Sequence, residues 1–410
     1  MALTPIVMGY VPLLDSAVLI AAQDRGFATA EGLEFELVRE TSWANIRDRL
    51  AIGHFDAAHM LAPMPLSANL GLTPLDTRLI APMALGLGGN GVTVSNPVWA
   101  AMAKAGAPTD LDARAAGIAL ARVIAERRSQ ELPRLRLAVV HPESGHNYEL
   151  RYWLAASGID PQTDVEIVIV PPSFQPDALA AGRIDGYCVG EPFNSLSVAR
   201  GVGRIVTTKS KIWRSSPEKV LGVRADWADR YPEQLAAIIR AVTRAARWCS
   251  DPVNHQTLAE MLAHADRLGV AAPILMRALS GQLRVGEDEE VTVRDFFLPF
   301  ERAANFPWQS HALWFYAQMV RWGQVSHSTD NAELAGHTYR PDLYRSALAG
   351  MGIPVPSANA KIEGALSEPT ALGAQGGALH LGPDGFFDGA RFDPDDLDAY
   401  IARQSHLPSR

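Results

Sequence analysis

Cysteine is scarce: only Cys188 and Cys249 occur among 410 residues, too few for a disulfide framework and in keeping with a reducing compartment. An excess of positive charge is missing too. The formal net charge is -8, and no long Lys/Arg run supplies the phosphate-neutralising charge that a nucleic-acid or anionic-membrane surface needs. No uninterrupted apolar stretch of ~20 residues occurs, so no membrane span is expected. The amino terminus lacks the basic region of a secretory signal: the first basic residue is Arg25, and Asp15 and Ser16 interrupt the apolar run before it. No cysteine precedes Cys188 to carry a lipid. A soluble, cytoplasmic chain is expected.

Enzyme signatures are missing as well. There is no G-x-x-x-x-G-K-[ST], no G-x-S-x-G and no H-E-x-x-H. His141-Pro-Glu143 has the first half of a zinc-deaminase spelling, but the paired cysteines that complete such a metal site do not exist. Gly86, Gly88, Gly89 and Gly91 formally match G-x-G-x-x-G. The segment after them reads as a strand where a dinucleotide site needs a helix, so close backbone approach is expected there instead.

What is present is ordinary globular material, 48% hydrophobic and 20% charged, enough for two or three domains with their own cores. The stretch from Val38 to Pro65 ends a strand, opens a helix at Trp43 behind the cap Ser42, and makes a second strand. It is echoed later. Gly53-His-Phe-Asp56 with Pro63 and Gly182-Arg-Ile-Asp185 with Pro192 share one offset of 129 residues at all three anchors. A single long spacing points to two related α/β lobes rather than a solenoid. Strands and helices alternating at this pitch imply βαβ units on largely parallel sheets.

The expected organisation is a discontinuous first lobe over 1–89 plus 196–350, a second lobe over 90–195, and a Gly/Pro-rich arm with a short terminal helix over 351–410. One long helical region is expected over 256–281. The aromatic segment 306–325 is expected to bury itself as a helix on the first lobe, with a partner-binding face as the other reading.

In such folds ligands bind at strand ends and helix N-termini, in a cleft between lobes, where unpaired N–H groups suit small anions. Trp43 begins one such helix, His146 another, and Gly190 stands where a third begins. Lys219 is placed to supply a full charge. A lone histidine is more commonly a hydrogen-bonded structural group and a lone lysine a solvated one, so these residues matter only if they converge.

Several longer spellings carry a resemblance: Glu40-Thr-Ser-Trp-Ala-Asn-Ile-Arg-Asp48 with Ala58-His-Met-Leu-Ala-Pro-Met-Pro65, Gly145-His-Asn147 with Arg151-Tyr-Trp-Leu-Ala-Ala156, Cys188-Val-Gly-Glu-Pro-Phe193, and Pro217-Glu-Lys219 with Arg224-Ala-Asp-Trp227. Over roughly residues 5–325 the chain resembles the nitrate-binding and bicarbonate-binding proteins of ABC importers. The resemblance implies a periplasmic-binding-protein-like type II fold, α/β, with two lobes and mostly parallel sheets around a ligand cleft. It further implies an anion held by the backbone at Trp43 and Ala44, the amide of Asn90, His146, the backbone at Gly190, and Lys219, with no cofactor and no catalytic residue. Asn90 stands where the family's nitrate binders commonly have Gln, and reaches less far. The bicarbonate branch is implied to recruit a metal through a carboxylate near Lys219. A lysine there neutralises a monoanion directly, while the adjacent Glu218 leaves the metal alternative open.

Within the family, the spelling Phe306-Pro-Trp-Gln-Ser-His-Ala-Leu-Trp314 is most similar to cytoplasmic nitrate/nitrite sensors of the NasS type. These are implied to hold an ANTAR-type RNA-binding antiterminator inactive until nitrate or nitrite arrives, controlling nitrate assimilation without touching nucleic acid or membrane themselves. The alternative is the substrate-binding component of an ABC importer for nitrate or a related small anion. An enzyme acting on a small organic substrate is a third reading, disfavoured by the lack of a cysteine or histidine cluster.

Overall fold

The computed structural model describes residues 2–404. Its framework is a pair of five-stranded sheets. The elements that matter for the site are β1 (Thr4–Tyr10), α1 (Ala17–Asp24), β2 (Leu33–Arg39), α2 (Trp43–Ala51), β3 (Ala57–Leu61), β4 (Leu79–Ala84), β5 (Asn90–Ser95), α3 (Ala113–Ser129), β6 (Leu135–Val139), α4 (Gly145–Ala156), β7 (Val165–Ile169), β8 (Gly186–Gly190), β9 (Gly203–Thr208), β10 (Lys219–Arg224), α5 (Gln309–Arg321) and α6 (Leu397–Gln404). The first sheet runs β2-β1-β3-β10-β4 and the second β7-β6-β8-β5-β9. In each, three parallel strands are followed by one antiparallel strand, β10 or β5, and then by its antiparallel neighbour. The expected repeat is therefore a repeat of topology.

Its anchor residues act alike in both halves. Asp56 accepts the N–H of Val7 at 2.9 Å through its carboxylate, while its own N–H donates to the Val7 carbonyl at 2.9 Å. Asp185 makes the same pair with Arg136, both bonds at 2.8 Å. Each aspartate thus closes one edge of a parallel strand at the entry to the next, satisfying backbone groups that would otherwise be orphaned. Helix starts are fixed by serine caps: Ser42 Oγ accepts from Asn45 N at 3.2 Å and Ser144 Oγ from Asn147 N at 3.0 Å.

The glycine cluster leads into β5, a strand, as its sequence context requires. Gly88 has φ +73°, and a Cβ there would sit 2.2 Å from the Phe296 carbonyl oxygen. The cluster is a close backbone crossing.

Other expectations shift. The second sheet includes β9, which pairs antiparallel with β5, so this sheet continues past residue 195. The region 256–281 forms two helices, His255–Ala263 and Ala272–Ser280, because Gly269 takes φ +69° between them and Pro273 fits only the first turn of a new helix. Trp308, Trp314, Phe315 and Tyr316 are buried, which removes the partner-face reading of those rings. They divide between the lobes: Trp308 packs with Phe306 in the core of the first lobe, at 4.7 Å between ring centroids, whereas Trp314 and Phe315 meet Tyr152 at 5.9 Å and Tyr148 at 6.2 Å in the second.

The Gly/Pro-rich segment is not a loose arm over its described part; residues 405–410 lie outside the described residues. Phe386 stacks on Trp213 at 4.6 Å, Glu363 is buried and accepts from Ser310 Oγ at 2.7 Å, and Lys361 donates to Asp384 at 2.7 Å. Asp388 accepts from Tyr152 Oη of α4 at 2.8 Å, and the Phe387 carbonyl accepts from Arg114 of α3 at 3.2 Å. This segment therefore joins α5 to the second lobe.

Replacing Gly88 by Ala adds both a left-handed backbone penalty and a clash with a carbonyl, whereas Gly26 has φ +74° and open space around it. Chemical unfolding should show Gly88→Ala destabilised by at least ~2 kcal/mol more than Gly26→Ala.

Candidate functional site

Five of the six expected residues converge where the two lobes meet. Lys219 opens β10, and its ammonium donates to Asp15 at 2.9 Å and to Glu218 at 2.5 Å. It also lies 5.2 Å from the centre of the Trp43 ring, the first residue of α2. Asn90 opens β5 directly opposite Gly190 at the end of β8. A Cβ on Gly190 would lie 2.9 Å from Asn90 Oδ1 and 3.7 Å from Asp15 Oδ2, so the missing side chain leaves room between these groups. His146 begins α4 with Nε2 at 3.2 Å from Glu218 Oε1. Ala44, also in the first turn of α2, is half-buried; the N–H groups of such a turn have no acceptor within their own helix.

The lobes are closed over these groups: Asn90 and His146 are 0% exposed, Trp43 and Lys219 1%. Burial of this kind normally demands hydrogen-bond partners. Yet Trp43 Nε1, both amide atoms of Asn90 and both ring nitrogens of His146 make no hydrogen bond. Buried polar groups without partners, in the first turns of α2 and α4 and at the start of β5, are groups that a small oxyanion can engage through their N–H atoms.

The charged groups form a row. Glu149 lies 2.9 Å from Lys209, Lys209 binds Glu218, Glu218 binds Lys219, Lys219 binds Asp15, and Asp15 lies 2.9 Å from His59 Nε2. Every member is buried. Burial works to raise the Asp15 pKa, but Lys219 and His59 outweigh it and hold the carboxyl at about 2. Glu218 likewise stays well below the usual carboxylate range, because His146, Lys209 and Lys219 together overcome burial. Burial pushes His146 down to about 3 and also lowers His59, so both imidazoles are neutral at pH 7. Burial pushes Glu149 up to about 7 despite the opposing Lys209.

Sequence reading found the residues facing the seam but missed most of the row. Asp15 and His59 each sit alone inside an apolar run, Leu13-Leu-Asp-Ser-Ala-Val18 and Ala57-Ala-His-Met-Leu-Ala62. A lone titratable residue in a buried strand or turn needs a charged partner, and that was the available signal. Lys209 and Glu149 gave none. Glu218 was considered only as a metal-recruiting carboxylate; both its oxygens are occupied by the two lysines.

Because Lys219 separates two ionised carboxylates, Lys219→Met should cost roughly 3–5 kcal/mol of stability. A scanning-calorimetry melt at pH 7.5 checks this, and a native-like midpoint would mean that Asp15 and Glu218 do not depend on the lysine.

Residues 2–263 match the model of the NMT1-like family. The chain is 31% identical over 409 residues to the nitrate/nitrite binding protein NrtA of Synechococcus elongatus, covering 97% of this chain and 85% of that one. It is 35% identical over 354 residues to the bicarbonate transport ATP-binding protein CmpC of the same species, covering 84% of this chain but 49% of the relative, so it spans about half of that protein. Among solved structures, the periplasmic nitrate-binding protein NrtA from Synechocystis PCC 6803 superimposes with a TM-score of 0.84 at 27% identity, covering 98% of both chains. The two relatives matched over nearly their whole length are named as nitrate-binding proteins, and the fold shared with them is that of a substrate-binding protein. With a family match over more than half its length, the chain belongs to the NMT1-like family and has the two-lobed type II periplasmic-binding-protein fold.

Proposed function

We propose that the chain binds a small monoanion of the nitrate and nitrite kind between its two lobes, in the manner of the substrate-binding component of an importer. The observation that carries this reading is the set of buried polar groups left without hydrogen-bond partners where the lobes meet: the Trp43 Nε1–H, the Asn90 amide and the ring of His146, whose nearest charged group is Glu218 at 3.2 Å. Three acceptor oxygens on a planar anion match donors arriving from several directions. The likeness to NrtA over nearly the whole chain supports the same ligand class. With both Glu218 oxygens held by Lys209 and Lys219, that carboxylate is not free to recruit a bridging metal.

A finer reading rests on the Phe306 to Trp314 spelling: a cytoplasmic sensor whose closure loosens its grip on an ANTAR-type antiterminator. A tenfold change in partner affinity needs about 1.4 kcal/mol of differential binding between the two states. The importer reading places the chain outside the cytoplasm and the sensor reading inside it. Co-purification of an antiterminator that nitrate releases supports the sensor; failure to bind that partner with or without nitrate removes it.

Titration with nitrate, nitrite, bicarbonate and sulfate, followed by tryptophan fluorescence and calorimetry, tests the primary reading. Saturable binding of nitrate or nitrite is expected. Asn90→Leu and Trp43→Phe should each weaken it by about tenfold or more, since each removes a hydrogen bond to a charged ligand. Silence toward all four anions in calorimetry would defeat the reading.

A further inference from the structure

The charge row sets a condition on any anion that enters it. Three carboxylates, of Asp15, Glu218 and Glu149, alternate with only two lysines, Lys209 and Lys219, all at contact distances and all buried. With Glu149 ionised the row already carries one surplus negative charge; with Glu149 protonated it is neutral. In neither state is there a spare positive charge for a further anion, and burying an uncompensated charge is strongly unfavourable.

We propose that the cleft takes up its anion together with one proton, and that the Glu149 carboxyl carries that proton. This rests on the anion-binding reading above.

The geometry selects Glu149 among the titratable groups of the row; Glu191, buried beside Gly190 and also pushed up to about 7 by burial, stands outside the row, faces no lysine among the described residues, and accepts the Ser195 N–H at 3.1 Å. It stands at the end of the row, so it faces only one lysine, Lys209, while Glu218 faces two and Asp15 faces Lys219 and His59. Its Oε1 accepts from Ser216 Oγ at 2.6 Å, and its Oε2 has no hydrogen-bond partner, leaving one oxygen on which a proton displaces nothing. The other groups acting on it are Glu218 and, from β8, the buried Cys188 thiol. His59 is poorly placed to take the proton, because its Nδ1 already accepts the Val11 N–H at 3.4 Å and protonation would turn that acceptor into a donor. His146, on the same helix one turn earlier, is held neutral by burial with Lys219 and Lys209 adding to the effect. Glu149, pushed up to about 7 by burial, is half protonated near neutrality in the empty protein. A nearby anion moves it further in the same direction.

The sign follows from linkage. Below pH 7 the proton is already present and the anion binds at full strength. Above pH 7 each bound anion must bring a proton, so affinity falls about tenfold per pH unit until the bound-state pKa is passed.

The experiment is calorimetric titration of the full chain with sodium nitrate in two buffers of different ionisation enthalpy, HEPES and Tris, at several pH values. Proton uptake per nitrate is expected to be close to zero at pH 5.5, about one half at pH 7 and about one at pH 8.5. Infrared difference spectra at pH 8.5 should gain the C=O stretch of a protonated carboxylic acid when nitrate is added, and Glu149→Gln should lose both the buffer-dependent heat and that band. Nitrate binding at pH 8.5 without buffer-dependent heat overturns the proposal. So does uptake that persists in Glu149→Gln, or uptake with no carboxylic-acid band, which would place the proton on an imidazole. Absence of nitrate binding at every pH would instead defeat the anion-binding reading itself.

Discussion

The constraint on which this molecule depends is a line of opposite charges buried where its two lobes meet. Asp15 and His59 come from the first sheet's side of the seam, Glu218 and Lys219 from the strand that completes that sheet, and Lys209 and Glu149 from the second lobe's side. None of these groups is stable in an apolar interior by itself; each is tolerable because the next one is present. The row therefore ties the lobes together electrostatically and at the same time leaves the Trp43 Nε1–H and the Asn90 amide without hydrogen-bond partners among the described residues. Cohesion and receptivity come from the same small volume.

The frame of the fold was legible because local rules dictate it. Serine caps, the paired Gly-x-[Phe/Ile]-Asp spellings and the strand–helix pitch are all local features: the cap expected at Ser42 is made, a second forms at Ser144, and the repeat anchors Asp56 and Asp185 each close a backbone pair. The row was not legible in this way. Lys219 meets Asp15 across 204 residues, and nothing in either neighbourhood announces the other. The break between His255–Ala263 and Ala272–Ser280 was readable from Gly269 and Pro273, and an apolar periodicity that continues on both sides masks it. The carboxyl-terminal segment misled for a different reason. Glycine and proline make a chain irregular, but irregular chain orders itself once Phe386 finds Trp213 and Glu363 finds Ser310 and Lys361.

That segment also explains the aromatic helix α5. Its rings face α4 and Phe386, and α4 in turn carries His146 and Glu149. The helix that presents polar groups to the seam is thus backed by Trp314 and Phe315 of α5, buried rings that meet its own Tyr152 and Tyr148 and fix its position from behind. Precise placement of polar groups requires rigid support of this kind.

The two aspartates at Asp56 and Asp185, 129 positions apart, show that the halves share a scaffold; the charged row shows that they do not share chemistry. Each half contributes different donors to the seam on an interchangeable frame. On the anion-binding reading proposed above, selectivity is divisible: an exchange at Asn90 or His146 alters one wall while Trp43 and Lys219 hold the other. A change of preference made at Asn90 leaves the buried charge row, and with it the fold, untouched, because Asn90 binds none of its members.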